Sequence, residues 1–459
     1  MPSPEQLSSR RAPFTPLVHK ELRDLALGRA FWAAVMIAVL LTGYSYIQAA
    51  HLYAEASRSA AHAPELARGL SPLDGILVPT MGALYLVVTL LYPFVVIRTV
   101  SAEKQSGALK LILQLPYPTS ALLAAKLVAV VVAWAVLLLP SLIALGLWTR
   151  AGGHLDAIES ANLLLGHLLY ALVVAGFSLA AAAMSQSPSS AAIAALAVTL
   201  GFWVLDFAAT GQEGLVKSAA GLSLTHLLRT FEQGVFALPM VLGSLFAAAG
   251  CIAVAGIWLH LGRSTTAKLK WTAIVVAVSA AAIAAASQLH VFRDATENRR
   301  NSFSASDEAA LRALAGPLRI DVYLAPEDPR LYDLEQSVLG KLRRTMPNVE
   351  VVIKGDAARP VFSGGGGDDY GKIFYFYGTR QAMSRSTSED EILPLIFGLA
   401  WVARPMPQDS ADYPGYPNIA DTRPATVVFY FVLPAAVLIS WGVAGGALRV
   451  LGRSTNPVH

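Results

Sequence analysis

The chain has few charged side chains for its 459 residues and only one cysteine. Asp, Glu, Lys and Arg make up 14% of it, whereas 55% is hydrophobic and the mean hydropathy is +0.52. This balance excludes an ordinary soluble protein and favours a bilayer as the surroundings of most residues. Cys251 has no second cysteine to pair with, so the chain forms no internal disulfide.

The sequence also lacks the motifs of a catalytic centre. No G-x-S-x-G nucleophile motif occurs, and the histidines do not have the H-x-x-x-H spacing of a metal site. The string from Gly366 to Lys372 imitates a phosphate-binding loop, but Ile373 stands where magnesium requires Ser or Thr. We therefore predict a glycine-rich turn there, no cofactor or metal bound by this chain, and no enzyme activity of its own.

Eight apolar segments are long enough to cross a bilayer, because a helix needs roughly 20 residues to span about 30 Å of hydrocarbon. Within lipid every backbone group must be satisfied inside the segment, which favours helices. The predicted fold class is a polytopic α-helical membrane protein. The segments are approximately Phe31–Ala50, Ile76–Ile97, Leu122–Trp148, Leu163–Met184, Ala191–Ala209, Phe236–Leu261, Trp271–Leu289 and Ala425–Leu448.

Lys and Arg in the short loops predict the orientation, because cytoplasmic loops hold the excess of basic residues. One side holds Arg10, Arg11, Lys20, Arg23, Arg29, Arg98, Lys104, Lys110, Lys126, Arg263, Lys268, Lys270, Arg449 and Arg453. The other side holds Arg58, Arg68, Arg150, Lys217 and Arg229. Both termini are therefore predicted in the cytoplasm. Because the basic residues lie beside apolar runs and form no single patch, the net charge of +4 does not indicate nucleic-acid binding.

The polar stretch 291–422 has the pattern of a folded domain, which we call the insert. Helical and strand patterns alternate along it, which predicts a small α/β domain on the extracytoplasmic side. The predicted elements are a helix capped by Ser304, a strand at Leu318–Leu324, a helix after Pro329, strands at Val349–Ile353 and Lys372–Tyr377, and a helix with a Ser388–Glu391 capping box. The glycine-rich stretch Gly355–Asp369 is predicted to be a mobile loop.

The loop after the second span carries an acidic residue, a glycine, a leucine-rich amphipathic stretch and a proline. These features fall at Glu103, Lys104, Gly107, Leu109, Leu111, Leu115 and Pro116. In this order, over about 101–116, the loop resembles the coupling helix of type-2 ABC transporter permeases. The earlier stretch Leu17–Gly28, with Lys20, Glu21 and Arg23, resembles the elbow helix of the same family. Such a helix lies in the headgroup plane and presents a polar face to a cytoplasmic protein.

The resemblance divides the chain into five parts. They are a cytoplasmic N-terminus with the elbow helix (1–30), a six-span permease core (31–262), a seventh span with its lead-in (263–290), the insert (291–422), and an eighth span with a cytoplasmic C-terminus (423–459). Before the sixth span, Leu227–Gly234 resembles the outer re-entrant helix of this family.

The insert carries further motifs of its own. They are Asp294–Ser306, Ile320–Leu324, Leu342–Arg344, Asn348–Val352, Tyr370–Tyr375 and Ser388–Ile392. On these motifs the insert, with its two flanking spans, is similar to the auxiliary domain of gliding-motility-associated ABC transporter proteins.

Taken together, the resemblances imply the permease subunit of an ATP-driven exporter in the bacterial inner membrane. A separate cytoplasmic ABC ATPase, in two copies, binds ATP and magnesium, and a second copy of this chain completes the pathway. The implied substrate is amphiphilic or lipid-like.

Two alternative functions remain. In the first, the ATPase drives the insert and a periplasmic protein partner, in motility, envelope assembly or metalloenzyme maturation, and no substrate crosses the membrane. In the second, the chain is an ATP-independent transporter or receptor, but its spans lack the buried proton-relay carboxylates that such proteins use.

Overall fold

The computed structural model describes residues 14–115, 117–208, 223–260, 262–314, 316–325, 328–346, 348–354, 369–406 and 413–453. Within these residues, eight helices are long and apolar enough to cross a membrane, which confirms the predicted polytopic fold class. We number them span 1 to span 8. They cover Arg29–Ala60, Leu73–Gln105, Thr119–Arg150, Ala157–Met184, Pro188–Leu205, Leu238–Leu259, Thr265–Ser287 and Arg423–Gly445.

Two of the spans consist of several helical pieces. Span 2 contains a π-helical turn at Leu73–Leu77, an α-helix at Val78–Leu90 and a second α-helix at Tyr92–Gln105. Its break falls at Leu91, next to Pro93, whose ring is incompatible with an uninterrupted helix. Span 8 is likewise built from an α-helix at Arg423–Val427, a π-helical turn at Val428–Val432 and an α-helix at Leu433–Arg453.

The chain forms two compact units. The first contains the residues up to Phe202, then Pro239–Gln288, and the residues from Pro414 onward. The second contains Trp203–Leu238 and Leu289–Tyr413. The spans therefore make up most of the first unit. The second unit combines the insert with the segment between spans 5 and 6, a segment that the sequence placed in the six-span core.

Span 8 packs against span 1 through a glycine. Phe429 of span 8 is fully buried, and a Cβ added at Gly43 would lie 2.4 Å from the Phe429 Cβ. The ring of Tyr46, one turn along span 1, lies 6.4 Å from the Phe429 ring. Small residues that let helices approach closely are a principal source of helix association in lipid. The last span is thus fitted to the first.

The segment 414–422 joins the ends of spans 1 and 3 just before span 8 begins. Tyr416 stacks on His154 with 3.7 Å between ring centroids, and its carbonyl accepts a 2.8 Å hydrogen bond from the Tyr53 hydroxyl. The Asn418 amide donates to the Ser57 hydroxyl at 3.0 Å. We call this segment the strap.

Strands β1 (Val235–Ala237) and β2 (Phe292–Asp294) form a two-stranded sheet, and four further strands of the insert form a second sheet in the order fourth, third, fifth, sixth along the chain numbering. The strands are β3 (Leu318–Val322), β4 (Val349–Ile353), β5 (Ile373–Tyr377) and β6 (Arg380–Ser384). β3 runs parallel to β4 and antiparallel to β5, and β5 and β6 form a hairpin. A parallel pair requires a crossover connection, here helical, between its strands. The predicted α/β domain is confirmed.

Three helical segments accompany this sheet. They cover Ala305–Arg312, then Pro329–Thr345 in three pieces (Pro329–Leu334, π-helical Glu335–Leu339 and Gly340–Thr345), and Glu389–Ala400. Their apolar side chains, such as Leu342 and Ile396, are fully buried with Ile320 of β3 in one core. Leu318, Ile320 and Val322 of β3 all belong to this core, because residues two apart on a strand share one face.

Local predictions for the insert have mixed outcomes. Ser304 caps its helix as predicted, since its hydroxyl accepts a 3.1 Å hydrogen bond from the Asp307 amide. The capping box is wrong, because Ser388 accepts from the Asp390 amide at 3.4 Å and not from that of Glu391. The hairpin strand β6 was not predicted. Most of the glycine-rich stretch, residues 355–368, lies outside the described residues.

Replacing Gly43 with Ala is expected to loosen the packing of span 8, because the added Cβ collides with Phe429. Overpacking of this kind typically costs about 1–3 kcal/mol, which would lower the thermal unfolding midpoint of the detergent-purified protein. Gly82→Ala is the matched control, since nothing lies within 4 Å of a Cβ added there. Equal midpoints for the two variants would contradict the contact.

Candidate coupling site

The elbow helix covers Thr15–Ala26 and buries one side of itself. Leu17, Glu21 and Leu25, four residues apart, are its buried side chains. Glu21 is only 3% exposed. A carboxylate removed from water in this way requires a charged or hydrogen-bonding partner, and that partner comes from span 3.

Lys126 lies two turns into span 3, and its side chain is completely buried. Its Nζ donates to Glu21 Oε1 at 2.9 Å and to the Thr99 carbonyl of span 2 at 2.6 Å. Glu103 Oε2, at the end of span 2, lies 2.8 Å from the same nitrogen, as an ion pair without hydrogen-bond geometry. One ammonium group therefore joins the elbow helix, span 2 and span 3.

Lys20 extends this arrangement at the surface. It pairs with Glu103 through Oε1, with Glu21 at 3.1 Å and with Asp24 at 3.2 Å. Burial alone would lower the pKa of Lys20, but the hydrogen bond and negative charge of Glu103, together with the charge of Glu21, outweigh it and raise the pKa. Lys20 therefore stays charged at neutral pH. We call Lys20, Glu21, Asp24, Glu103 and Lys126 the charge cluster.

The neighbouring Lys104 contacts a different span. Its Nζ donates to the carbonyls of Ala182 at 2.7 Å, Ala183 at 2.6 Å and Ser185 at 3.0 Å. These are among the carbonyls at the C-terminal end of span 4, which lack helical partners and carry the negative end of the helix dipole. Two consecutive residues at the end of span 2 thus hold three other elements.

The predicted coupling helix is divided in the structure. Its first part, residues 101–105, continues the helix of span 2 to Gln105. Gly107 then adopts a left-handed backbone with φ of +76°, which ends a helix readily because glycine has no Cβ. A separate short helix follows at Ala108–Ile112. A single helix over 101–116 is therefore wrong.

The short helix and the turn that follows it leave apolar side chains exposed. Leu109 is buried, whereas Leu111 is 67% and Leu115 is 49% exposed. Pro116 lies outside the described residues. Arg23 is exposed on the elbow helix and is not part of the charge cluster.

Of the residues singled out from the sequence, the structure brings Lys20, Glu21 and Glu103 together. Lys126 and Asp24 were not assigned to the site. Lys126 carried a usable signal, because an ionisable residue inside an otherwise apolar span is a candidate for function.

A second polar arrangement lies in the other unit, where the segment between spans 5 and 6 meets the start of the insert. The outer helix covers Leu224–Glu232, and β1 (Val235–Ala237) pairs antiparallel with β2 (Phe292–Asp294). Span 6 therefore begins at Leu238, two residues after the approximate start predicted at Phe236.

Asn301 fixes this junction. Its side chain donates to the Gln233 carbonyl at 2.7 Å, and its amide donates to Asp294 Oδ2 at 2.8 Å. The Ala295 amide donates to the Gly234 carbonyl at 2.8 Å. Asn301 is 7% exposed, so these hydrogen bonds are shielded from water. We call this set the outer junction.

A many-span membrane protein with an elbow helix bound to the ends of spans 2 and 3 has the layout of a permease subunit. The chain matches the sequence model of the family described as ABC-2 family transporter protein over residues 15–286, and it belongs to that family. It is therefore a membrane subunit of an ABC transporter, which implies a cytoplasmic ABC ATPase as its partner. No curated protein and no solved structure matches the chain. Because the family match ends before the insert, the similarity of the insert to gliding-motility auxiliary domains stays a prediction.

Replacing Lys126 with Met is expected to destabilise the protein, because Glu21 and Glu103 lose the charge that neutralises them. Removing one partner of a buried ion pair typically costs about 3–5 kcal/mol. The thermal unfolding midpoint in detergent measures this loss. Lys110→Met, at an exposed lysine of the short helix, is the control and should leave the midpoint unchanged. Similar midpoints for both variants would show that the cluster does not hold the three elements.

Proposed function

We propose that the chain is the permease subunit of an ABC exporter, in which a cytoplasmic ATPase drives the export of an amphiphilic or lipid-like substrate. The observation that carries the proposal is the charge cluster, which ties the elbow helix to the ends of spans 2 and 3. ATP and magnesium bind to the ATPase, and this chain catalyses no reaction of its own.

The short helix is the proposed docking point for the ATPase. Leu111 and Leu115 expose large apolar surfaces at the tip of a loop, and such surfaces mark protein contact sites. A movement of this helix would be transmitted to span 2 along the chain through Ser106 and Gly107. The contacts of Glu103 and Lys126 would transmit the movement from span 2 to the elbow helix and span 3. The contacts of Lys104 would transmit it to span 4.

The remaining parts of the proposal concern assembly and orientation. One six-span core forms half of a pathway, so two copies of this chain and two ATPase subunits make a symmetric unit. The excess of Lys and Arg in alternate loops supports cytoplasmic termini and a periplasmic insert in the bacterial inner membrane.

Replacing Leu111 with Asp is expected to uncouple the ATPase. Burying a leucine is worth about 1.5–3 kcal/mol, so its loss should weaken the complex roughly ten- to a hundredfold. Co-purification of the ATPase and permease-stimulated ATP hydrolysis measure the effect. Ile158→Asp is the control, because Ile158 is a similarly exposed aliphatic residue, at 58%, beyond the opposite end of span 3. Normal hydrolysis with Leu111→Asp would contradict docking at this helix.

The outer junction favours a second candidate function, in which the ATPase moves the insert and no substrate is translocated. The outer helix precedes span 6 in the permease core, yet Asn301 and the β1–β2 pair attach it to the insert. A movement of the core at this helix would therefore be passed directly to the insert, which would act on periplasmic protein partners.

Asn301→Ala is expected to interrupt this transfer, because the Gln233 carbonyl loses its hydrogen bond from the insert. Hydrogen exchange of the intact complex measures this transfer of movement from the outer helix to the insert. With ATP, the outer helix and β2 should change protection together in the unmodified protein, whereas β2 should respond less in the variant. Asn298→Ala is the control, since the one hydrogen bond of the Asn298 side chain within the described residues comes from the Arg300 amide in its own turn. Unchanged coupling in Asn301→Ala would exclude the Asn301–Gln233 hydrogen bond as the connection.

A further inference from the structure

A cavity of about 350 Å³ lies between the elbow helix and the end of span 2. Leu27 and Phe31 line it from one side, and Val95, Arg98 and Ala102 line it from the other. The three span 2 residues recur at intervals of three and four and so share one face of the helix. The cavity has the size of a small-molecule pocket.

The lining combines apolar and charged side chains. From Val95 of span 2 to Ser106 in the turn after it, the lining extends over roughly 16 Å at 1.5 Å per residue. Phe31, Leu27 and Val95 supply apolar surface, whereas Arg98 and the charge-cluster residues Lys20, Glu21, Asp24 and Glu103 supply polar groups. A site with both kinds of surface fits an amphiphile.

Arg98 is the distinctive charge in this cavity. It is exposed, and within the part of the chain that the structure describes it has no ion pair and no side-chain hydrogen bond. The carboxylates that line the cavity, in contrast, all have lysine partners in the charge cluster. An exposed arginine without a bound partner is suited to phosphate binding, because its guanidinium group can donate two parallel hydrogen bonds to the phosphate oxygens.

The balance of charge decides between anionic and zwitterionic ligands. The charge cluster has two lysines and three carboxylates, so its formal charge of −1 is cancelled by the +1 of Arg98. An anionic ligand would leave surplus negative charge beside Asp24, whose side chain is 56% exposed. A ligand with both a phosphate and an ammonium group satisfies Arg98 and Asp24 together.

We propose that this cavity binds the headgroup of a zwitterionic phospholipid from the leaflet that holds the elbow helix. The phosphate lies on Arg98, the ammonium group faces Asp24, and the start of the acyl chains lies along Phe31 and Val95. The site includes Ala108 at the start of the short helix but not Leu111, and lipid binding to it needs no ATPase.

Photoactivatable phosphatidylethanolamine, added to the purified full chain in nanodiscs, tests the proposal. Cross-links should map to residues 20–31 and 95–106. Arg98→Gln should lower their yield by roughly tenfold or more, because the phosphate loses its charge-assisted hydrogen bonds. Arg23→Gln is the control, because Arg23 is an exposed arginine of the elbow helix outside the cavity lining, and it should label normally. Ala102→Phe, which places a bulky ring in the cavity lining, should also lower labelling.

Competition identifies the chemistry of the ligand. Unlabelled phosphatidylethanolamine should compete, whereas phosphatidylglycerol and inorganic phosphate should not. Equal labelling of Arg98→Gln and the unmodified chain would overturn the site, and so would an equal loss in Arg23→Gln. Competition by inorganic phosphate would assign the site to a free anion, and equal competition by phosphatidylglycerol would overturn the zwitterionic assignment. Labelling is measured without ATPase, so its failure is distinguishable from a failure of coupling.

Discussion

The rest of the first unit depends on the neutralisation of one buried ammonium group. Lys126 has no access to water, so its charge is tolerable only with carboxylates and a carbonyl at close range. Those partners belong to the elbow helix and to span 2, and their positions are dictated by the lysine. Because these charges must stay close together, the elbow helix, span 2 and span 3 are constrained in position relative to one another. Buried ion pairs contribute little net stability, but they do penalise any arrangement that separates the charges.

The end of span 2 combines long-range contacts with a local turn. Glu103 and Lys104 contact the elbow helix, span 3 and span 4, whereas Ser106 and Gly107 form the turn before the short helix. The side chain of Ser106 donates to the carbonyls of Ala102 and Glu103 within its own turn. The long-range contacts therefore lie immediately before the point where Gly107 separates span 2 from the short helix.

The sequence predicts what depends on local patterns and misses what depends on distant contacts. All eight spans were predictable, because about twenty apolar residues are sufficient to specify a span. The Ser304 cap depends on a residue three positions away and was also predicted. The pairing of Glu21 with Lys126 joins residues 105 positions apart, and β1 pairs with a strand more than fifty residues later. Neither contact leaves a periodic pattern.

The strap and the Gly43 contact show how the C-terminal part is joined to the family core. Phe429 fills the groove that Gly43 opens in span 1, and Tyr416 is held between Tyr53 and His154. Span 8 thus packs against a surface of span 1, which lies within the region that matches the family, residues 15–286. In a relative that ended after its seventh span, no residue equivalent to Phe429 would occupy this groove. The residue at position 43 should therefore distinguish relatives that possess an eighth span from those that lack one.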